Sequence, residues 1–174
     1  GRTNLCYNAV DRWLPTQADK PALIWVSTEV ERERVYTRQD VYDEVNAAAA
    51  MLQDLGVGRG DRVLLYMPMV PEAVFTMLAC ARIGAVHSVV FGGFSPDSIA
   101  GRVNDCQSRV VLTADEGRRG GKTIPLKKNV DEALLKAPVA TRVIVVRVTG
   151  GEVPMQAGRD VWYHDEAAKV SADC

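Results

Sequence analysis

Residues 62–91 read RVLLYMPMVPEAVFTMLACARIGAVHSVVF, and this stretch decides the fold. Arg62 to Met67 is an apolar run too short for a helix, Pro71 to Ile83 carries apolar residues almost all round a helical wheel, and Val86 to Phe91 is a second short run. Two such runs joined by a helix that must be buried make a βαβ unit, the building block of a parallel sheet covered by helices. The alternation continues with a helix from Pro96 to about Cys106, a strand from Arg109 to Thr113, a helix from Asn129 to Lys136 and a strand from Arg142 to Val148. The fold class is α/β, a mostly parallel sheet flanked by helices.

Working back toward the start, Leu5, Ala9 and Trp13 stand four apart with Cys6, Val10 and Leu14 beside them, a helical stripe that Pro15 ends. Ala22 to Ser27 and Glu33 to Thr37 read as a hairpin. Thr37 with Asp40 three residues on predicts a capped helix carrying Val41, Val45, Ala48, Leu52 and Leu55 to a stop at Gly56. Residues 1–37 are thus a helix-plus-hairpin extension to one domain occupying 1–174. Toward the other end, Gly150, Gly151 and Pro154 mark a loop and Tyr163 to Val170 a short helix. No closing strand is legible, so the sheet reads as small and the end at Cys174 as a cut.

Twenty-one basic against 22 acidic side chains leave a net charge of -1, which argues against a nucleic-acid binder or a membrane-surface protein. Cys6, Cys80, Cys106 and Cys174 are scattered, and with only His87 and His164 to join them no metal site is expected. Cys80 lies in an apolar run as an inert thiol, and His87 within a strand reads as a core residue. His164 beside Asp165 reads as surface, and Trp13, Trp25 and Trp162 as fillers of core or interface. No apolar stretch approaches the ~20 residues needed to span a bilayer, and no leader is recognisable, so a cytoplasmic location is expected.

Two loops have the character of ligand sites, because in open α/β sheets ligands gather where strands end and helices begin. In Phe91-Gly92-Gly93-Phe94-Ser95-Pro96-Asp97 two glycines allow close backbone approach, Ser95 is placed to cap and Pro96 to open the next helix. It matches no phosphate-loop pattern, and on its glycines alone it reads first as a plain tight strand-to-helix turn. The second, residues 114–122, joins Arg119 and Lys122 through Gly120 and Gly121, with Lys127 and Lys128 further on. Arginine grips a phosphate through paired hydrogen bonds and lysine acts as a mobile point charge. The same loop also reads as a solvated basic turn offset by Asp115 and Glu116. Were the two preceding strands neighbours, a nucleotide-like ligand would lay its base by Phe91 to Gly93 and its phosphate on Arg119 and Lys122. No catalytic residue is legible.

The run from Gly60 through Met69, the run from Leu78 to Phe94, Thr113 to Gly117, Ile124 to Lys128 and the opening Asn4 to Arg12 resemble the short-chain AMP-forming acyl-CoA synthetases, the acetyl-CoA and propionyl-CoA synthetases. The likeness covers residues 3–136 and implies the incomplete N-terminal part of that family's large AMP-binding domain, with the C-terminal domain absent. It implies a ligase in which a carboxylate attacks ATP to give acyl-AMP and pyrophosphate, after which the coenzyme A thiol displaces AMP. ATP and coenzyme A are the implied co-substrates with Mg2+, whose site is expected outside these residues; the remainder of its own chain is the implied partner. The stretch matching Arg119, Gly120, Gly121 and Lys122 is the one that contacts the 3′-phosphate end of coenzyme A in the family, and that matching Phe91, Gly92 and Gly93 lies by its adenine. Many acetyl-specific members have arginine where Lys122 stands, so the resemblance leans to propionate. The family's phosphate loop, acyl pocket and catalytic lysine are not found, and the piece is expected to be inactive alone. The rival reading is a stand-alone flavodoxin-like module that binds a nucleotide or a protein without catalysis, which requires a closing strand after Val148.

Overall fold

The computed structural model describes residues 3–27 and 31–171. Its centre is a five-stranded parallel sheet built from β3 (Arg62–Met67), β4 (Val86–Phe91), β5 (Val110–Ala114), β8 (Arg142–Val146) and β9 (Asp160–Trp162), in the order β4-β3-β5-β8-β9. Strands β3, β5 and β8 are buried along nearly their whole length, as their unbroken apolar sequences require of strands covered on both faces. The helices α3 (Arg38–Asp54) and α4 (Pro71–Ile83) pack together on one face, and α5 (Pro96–Cys106) and α6 (Leu126–Leu134) on the other. The chain moves outward from β3 to β4 and then back across β3 to β5, so the strand order reverses direction between β3 and β5.

An antiparallel hairpin of β1 (Pro21–Ser27) and β2 (Arg32–Thr37) leads into α3. That helix starts at the expected capping box: the Asp40 amide donates to the Thr37 hydroxyl and the Thr37 amide to the Asp40 carboxylate. Those bonds to the Thr37 backbone and side chain hold the Asp40 carboxyl below the usual range. Gly56, at φ +84, follows the C-terminal turn in the left-handed conformation that glycine adopts at least cost. Burial pushes the Cys80 thiol up to about 12, as an inert core cysteine requires.

Several expectations are corrected. The opening helix is three short pieces, α1 (Leu5–Ala9), a 3-10 turn (Asp11–Trp13) and α2 (Leu14–Gln17), and Pro15 lies inside the last rather than ending the first, because its missing N–H costs nothing in a first turn. His87 is exposed, not core, since β4 is the sheet's edge and only Val90 in it is buried. Helix α6 begins at Leu126, three residues before Asn129. The loop at 114–122 is a small hairpin of β6 (Gly117–Arg119) and β7 (Lys122–Ile124). A fifth parallel strand, β9, does follow Val148 and leads into α7 (Tyr163–Ala167). No helix among the described residues is long and apolar enough to cross a membrane.

A charged cluster ties α6 to β9. Lys127, whose side chain has no exposed surface, lies 2.7 Å from Asp131 and 2.9 Å from Asp160 and donates to the Pro154 carbonyl, while Arg159 pairs with both carboxylates. Burial acts to raise the Asp160 carboxyl, but hydrogen bonds from Arg159, Lys127 and the Gln156 amide outweigh it and hold the group below its usual range. A carboxyl depressed in the folded state stabilises above its unfolded pKa, about 3.9, and that contribution disappears as pH falls through the folded value. The urea midpoint is therefore expected to fall as pH drops below about 4, and to fall less in Asp160→Asn.

Candidate functional site

The C-terminal ends of β3, β4, β5 and β8 open onto one hollow of about 380 Å³. Met67 to Val70 come from the end of β3, Phe91 to Gly93 from the end of β4, Gly117 to Arg119 from β6 beyond β5, and Val148 from beyond β8. Val26 and Ser27 of the first hairpin and Ile124 and Leu126 complete the lining. This is the point where the strand order reverses, the crevice in which doubly wound sheets place their ligands.

Strands β4 and β5 are not neighbours, because β3 lies between them. Their loops meet all the same, since the β6–β7 hairpin projects from the end of β5 toward the turn after β4. The Arg119 guanidinium lies over the Phe91 ring, 4.8 Å from its centroid, and Phe91 packs edge-on against Phe94 at 6.1 Å. A Cβ on Gly93 would stand 2.7 Å from Phe91 Cε1 and 3.5 Å from Arg119 Nη1, so glycine permits this approach. A cation over an aromatic face in an open hollow presents charge and a stacking surface side by side.

The turn after β4 is held from below by Tyr66. Its hydroxyl lies 3.0 Å from the carbonyls of both Gly92 and Phe94, which share its single donor proton, and it accepts from Asn129 Nδ2 at 3.1 Å. Burial pushes the Tyr66 phenol up, so the donor proton stays on. The Ser95 hydroxyl then caps α5, with Pro96 in the first turn. Tyr66→Phe is expected to cost about 1 kcal/mol by removing hydrogen bonds to partly buried partners, read as a lower urea midpoint with an unchanged slope.

The hairpin carrying the cations turns through Gly120 and Gly121, at φ +56 and +73, the paired left-handed residues that a two-residue hairpin turn demands. Arg119 and Lys122 face each other across this ribbon as register partners. Arg118 and Arg119 line the hollow, whereas Gly120, Gly121 and Lys122 form the exposed tip outside its lining. Lys127 is removed from the anion-binding set by its burial between Asp131 and Asp160, while Lys128 is exposed.

Asp115 is no solvated counter-charge. Its side chain is buried and accepts four backbone N–H groups: Glu116 at 2.7 Å, Val148 at 2.9 Å and Thr149 at 3.3 Å on Oδ1, and Gly150 at 2.9 Å on Oδ2. It joins the loop after β8 to the root of the β6–β7 hairpin. Sequence reasoning missed this anchor, Tyr66, and the contribution of Met67 to Val70; an acidic residue at a strand end followed 33 residues later by Val148-Thr149-Gly150 gives no local signal.

A family model described as AMP-binding enzyme matches residues 10–173. The chain belongs to the AMP-binding enzyme family. It is 58% identical over its full length to the acetyl-coenzyme A synthetase of Parvibaculum lavamentivorans and 52% identical to that of Bradyrhizobium diazoefficiens, and it spans 27% of the length of each. Among solved structures, the acetoacetyl-CoA synthetase from Streptomyces lividans superposes with a TM-score of 0.84 at 32% identity, over 95% of this chain and 25% of that one. The sheet with its flanking helices is thus the α/β architecture of that synthetase, and the family includes members of far greater length than these 174 residues.

Proposed function

We propose that this chain is part of a short-chain AMP-forming acyl-CoA synthetase and that the hollow at the sheet's switch point forms one wall of its coenzyme A site. The observation that carries the reading is the convergence of the Phe91-Gly92-Gly93 turn and Arg119 on one hollow, with the guanidinium over the ring. In the full reaction a carboxylate and ATP give acyl-AMP and pyrophosphate, and coenzyme A then displaces AMP. The residues in hand bind and orient: Phe91 and the glycine backbone offer an apolar face for adenine, and Arg119, with Lys122 opposite it, offers charge for the 3′-phosphate. Lys122 lies at the exposed tip, so its part is to swing onto a phosphate already held by Arg119.

Acetate and propionate are the candidate acids. The names of the relatives speak for acetate; the Arg119-Gly120-Gly121-Lys122 form is our ground for placing propionate first. Among the described residues no group of three or more His, Cys, Asp or Glu side chains is placed to hold a metal ion. The flavodoxin-like alternative gains the strand β9 that it required, yet the full-length identity to synthetases favours the ligase.

The purified chain is expected to release no pyrophosphate with ATP and either acid, and to bind coenzyme A only weakly by calorimetry. Carboxylate-dependent pyrophosphate release, or submicromolar binding by this chain alone, would overturn the view that it holds part of the site.

A further inference from the structure

We infer that the opposite rim of the sheet carries a separate oxyanion site, formed by Arg62, Arg109 and Arg142. These three arginines stand at or just before the starts of three adjacent parallel strands, β3, β5 and β8. In register, Val63 pairs with Val110 and Val110 with Arg142, so the three lie side by side along the amino-terminal rim. Together with Asp61, Gln107 and Thr141 they line a polar hollow of about 130 Å³. A liquid water takes up roughly 30 Å³, so the hollow has room for one tetrahedral oxyanion and little more.

The charge there is only partly compensated. Three guanidinium groups line the hollow with a single carboxylate, Asp61, and the one ion pair between them, Arg109 to Asp61, is 3.4 Å long with the Arg109 side chain 62% exposed. Arg62 donates to the carbonyls of Cys106, Gly60 and Gln107, and Arg142 to that of Gly158. Each guanidinium has five N–H donors, so each keeps donors beyond those bonds. A tetrahedral anion with several acceptor oxygens matches such a set.

The scaffold is rigid. The buried Ser108 hydroxyl lies 2.9 Å from the Arg62 carbonyl and 2.8 Å from the Val110 carbonyl, which share its single donor proton, and it accepts the Leu64 amide, locking the starts of β3 and β5 together. The Arg109 carbonyl accepts the amides of both Thr141 and Arg142, which locks β5 to β8. Arginines fixed on strand ends present a preformed geometry, which a flexible basic loop does not. The ligand class is a small free phosphate-like oxyanion. This site lies across the sheet from the hollow assigned to coenzyme A, so the two are separately testable.

The test is calorimetric titration of the 174-residue chain with inorganic phosphate at low ionic strength, on the parent, Arg109→Gln, Arg142→Gln and Arg119→Ala. Expected is saturable binding of one phosphate per chain, weakened about tenfold or more by either rim substitution and unchanged in Arg119→Ala. Arg109 is largely exposed, so its substitution leaves folding intact, as thermal melts of the variant would verify. Absence of saturable binding, or binding lost in Arg119→Ala and kept in Arg109→Gln, overturns the proposal. Failure of coenzyme A to bind at the other rim leaves this outcome untouched.

Discussion

Asp115→Ala is expected to lower the folding free energy by about 4 kcal/mol, the largest loss anticipated for any single substitution in the hollow's surroundings. The reasoning rests on four partly buried backbone N–H groups, from Glu116, Val148, Thr149 and Gly150, that share the one buried carboxylate. Removing it takes a charged acceptor from all four donors at once; a hydrogen bond to a charged group is worth about 1.5–3 kcal/mol, less where water replaces the acceptor, as at exposed Gly150. Asp115→Asn keeps one acceptor oxygen but turns an N–H2 group against other N–H groups, so it should fall between parent and alanine. Urea denaturation followed by far-ultraviolet circular dichroism measures both. A loss under about 1 kcal/mol for the alanine variant would show that the loop after β8 finds other partners. Because Asp115 also anchors the root of the hairpin bearing Arg119, the alanine variant should release the Arg119 side chain from Phe91, seen as altered Phe91 ring resonances.

The second large effect is expected at Lys127→Met. Its ammonium sits between Asp131 and Asp160 with no exposed side-chain surface, so the apolar replacement leaves buried carboxylate facing carboxylate. Breaking a buried pair from one side typically costs about 3–5 kcal/mol, and Arg159, which still reaches both acids, keeps this case near 3. Lys128→Met, one residue on and exposed, should change stability by less than about 0.5 kcal/mol. Chemical denaturation of the two variants side by side checks the contrast; equal small losses would mean that Lys127 is not part of the tie between α6 and β9.

These two residues mark the boundary of what the sequence discloses. Local signals did their work where the structure is locally determined: the capping box at Thr37 and Asp40, the turn at Gly56, and the Ser95-Pro96 start of α5 all follow from a few neighbouring residues. The βαβ periodicity likewise dictated the parallel sheet through β8. Strand order was not legible, because nothing local says that β3 separates β4 from β5, and that order in turn made His87 an edge residue. The three-residue strands β6, β7 and β9 are too short to show periodicity. Lys127 and Asp115 look like any other charges in a polar stretch, since their burial is caused by partners 33 to 35 residues away. The hollow was half legible: the glycine turn and the cationic hairpin announced themselves by composition, while its apolar floor at Met67 to Val70 and the supporting Tyr66 did not.

The central claim is that the turn after β4 and the hairpin after β5 form one binding surface for coenzyme A. Titrating the isotopically labelled chain with coenzyme A, while following backbone amide resonances, tests it directly. The account predicts graded shifts gathered at Phe91, Gly92, Gly93, Arg118 and Arg119, diminished for coenzyme A lacking its 3′-phosphate and abolished in Arg119→Ala. Shifts gathered instead around Arg109 and Arg142, or no shifts at ligand concentrations in the millimolar range, would contradict it.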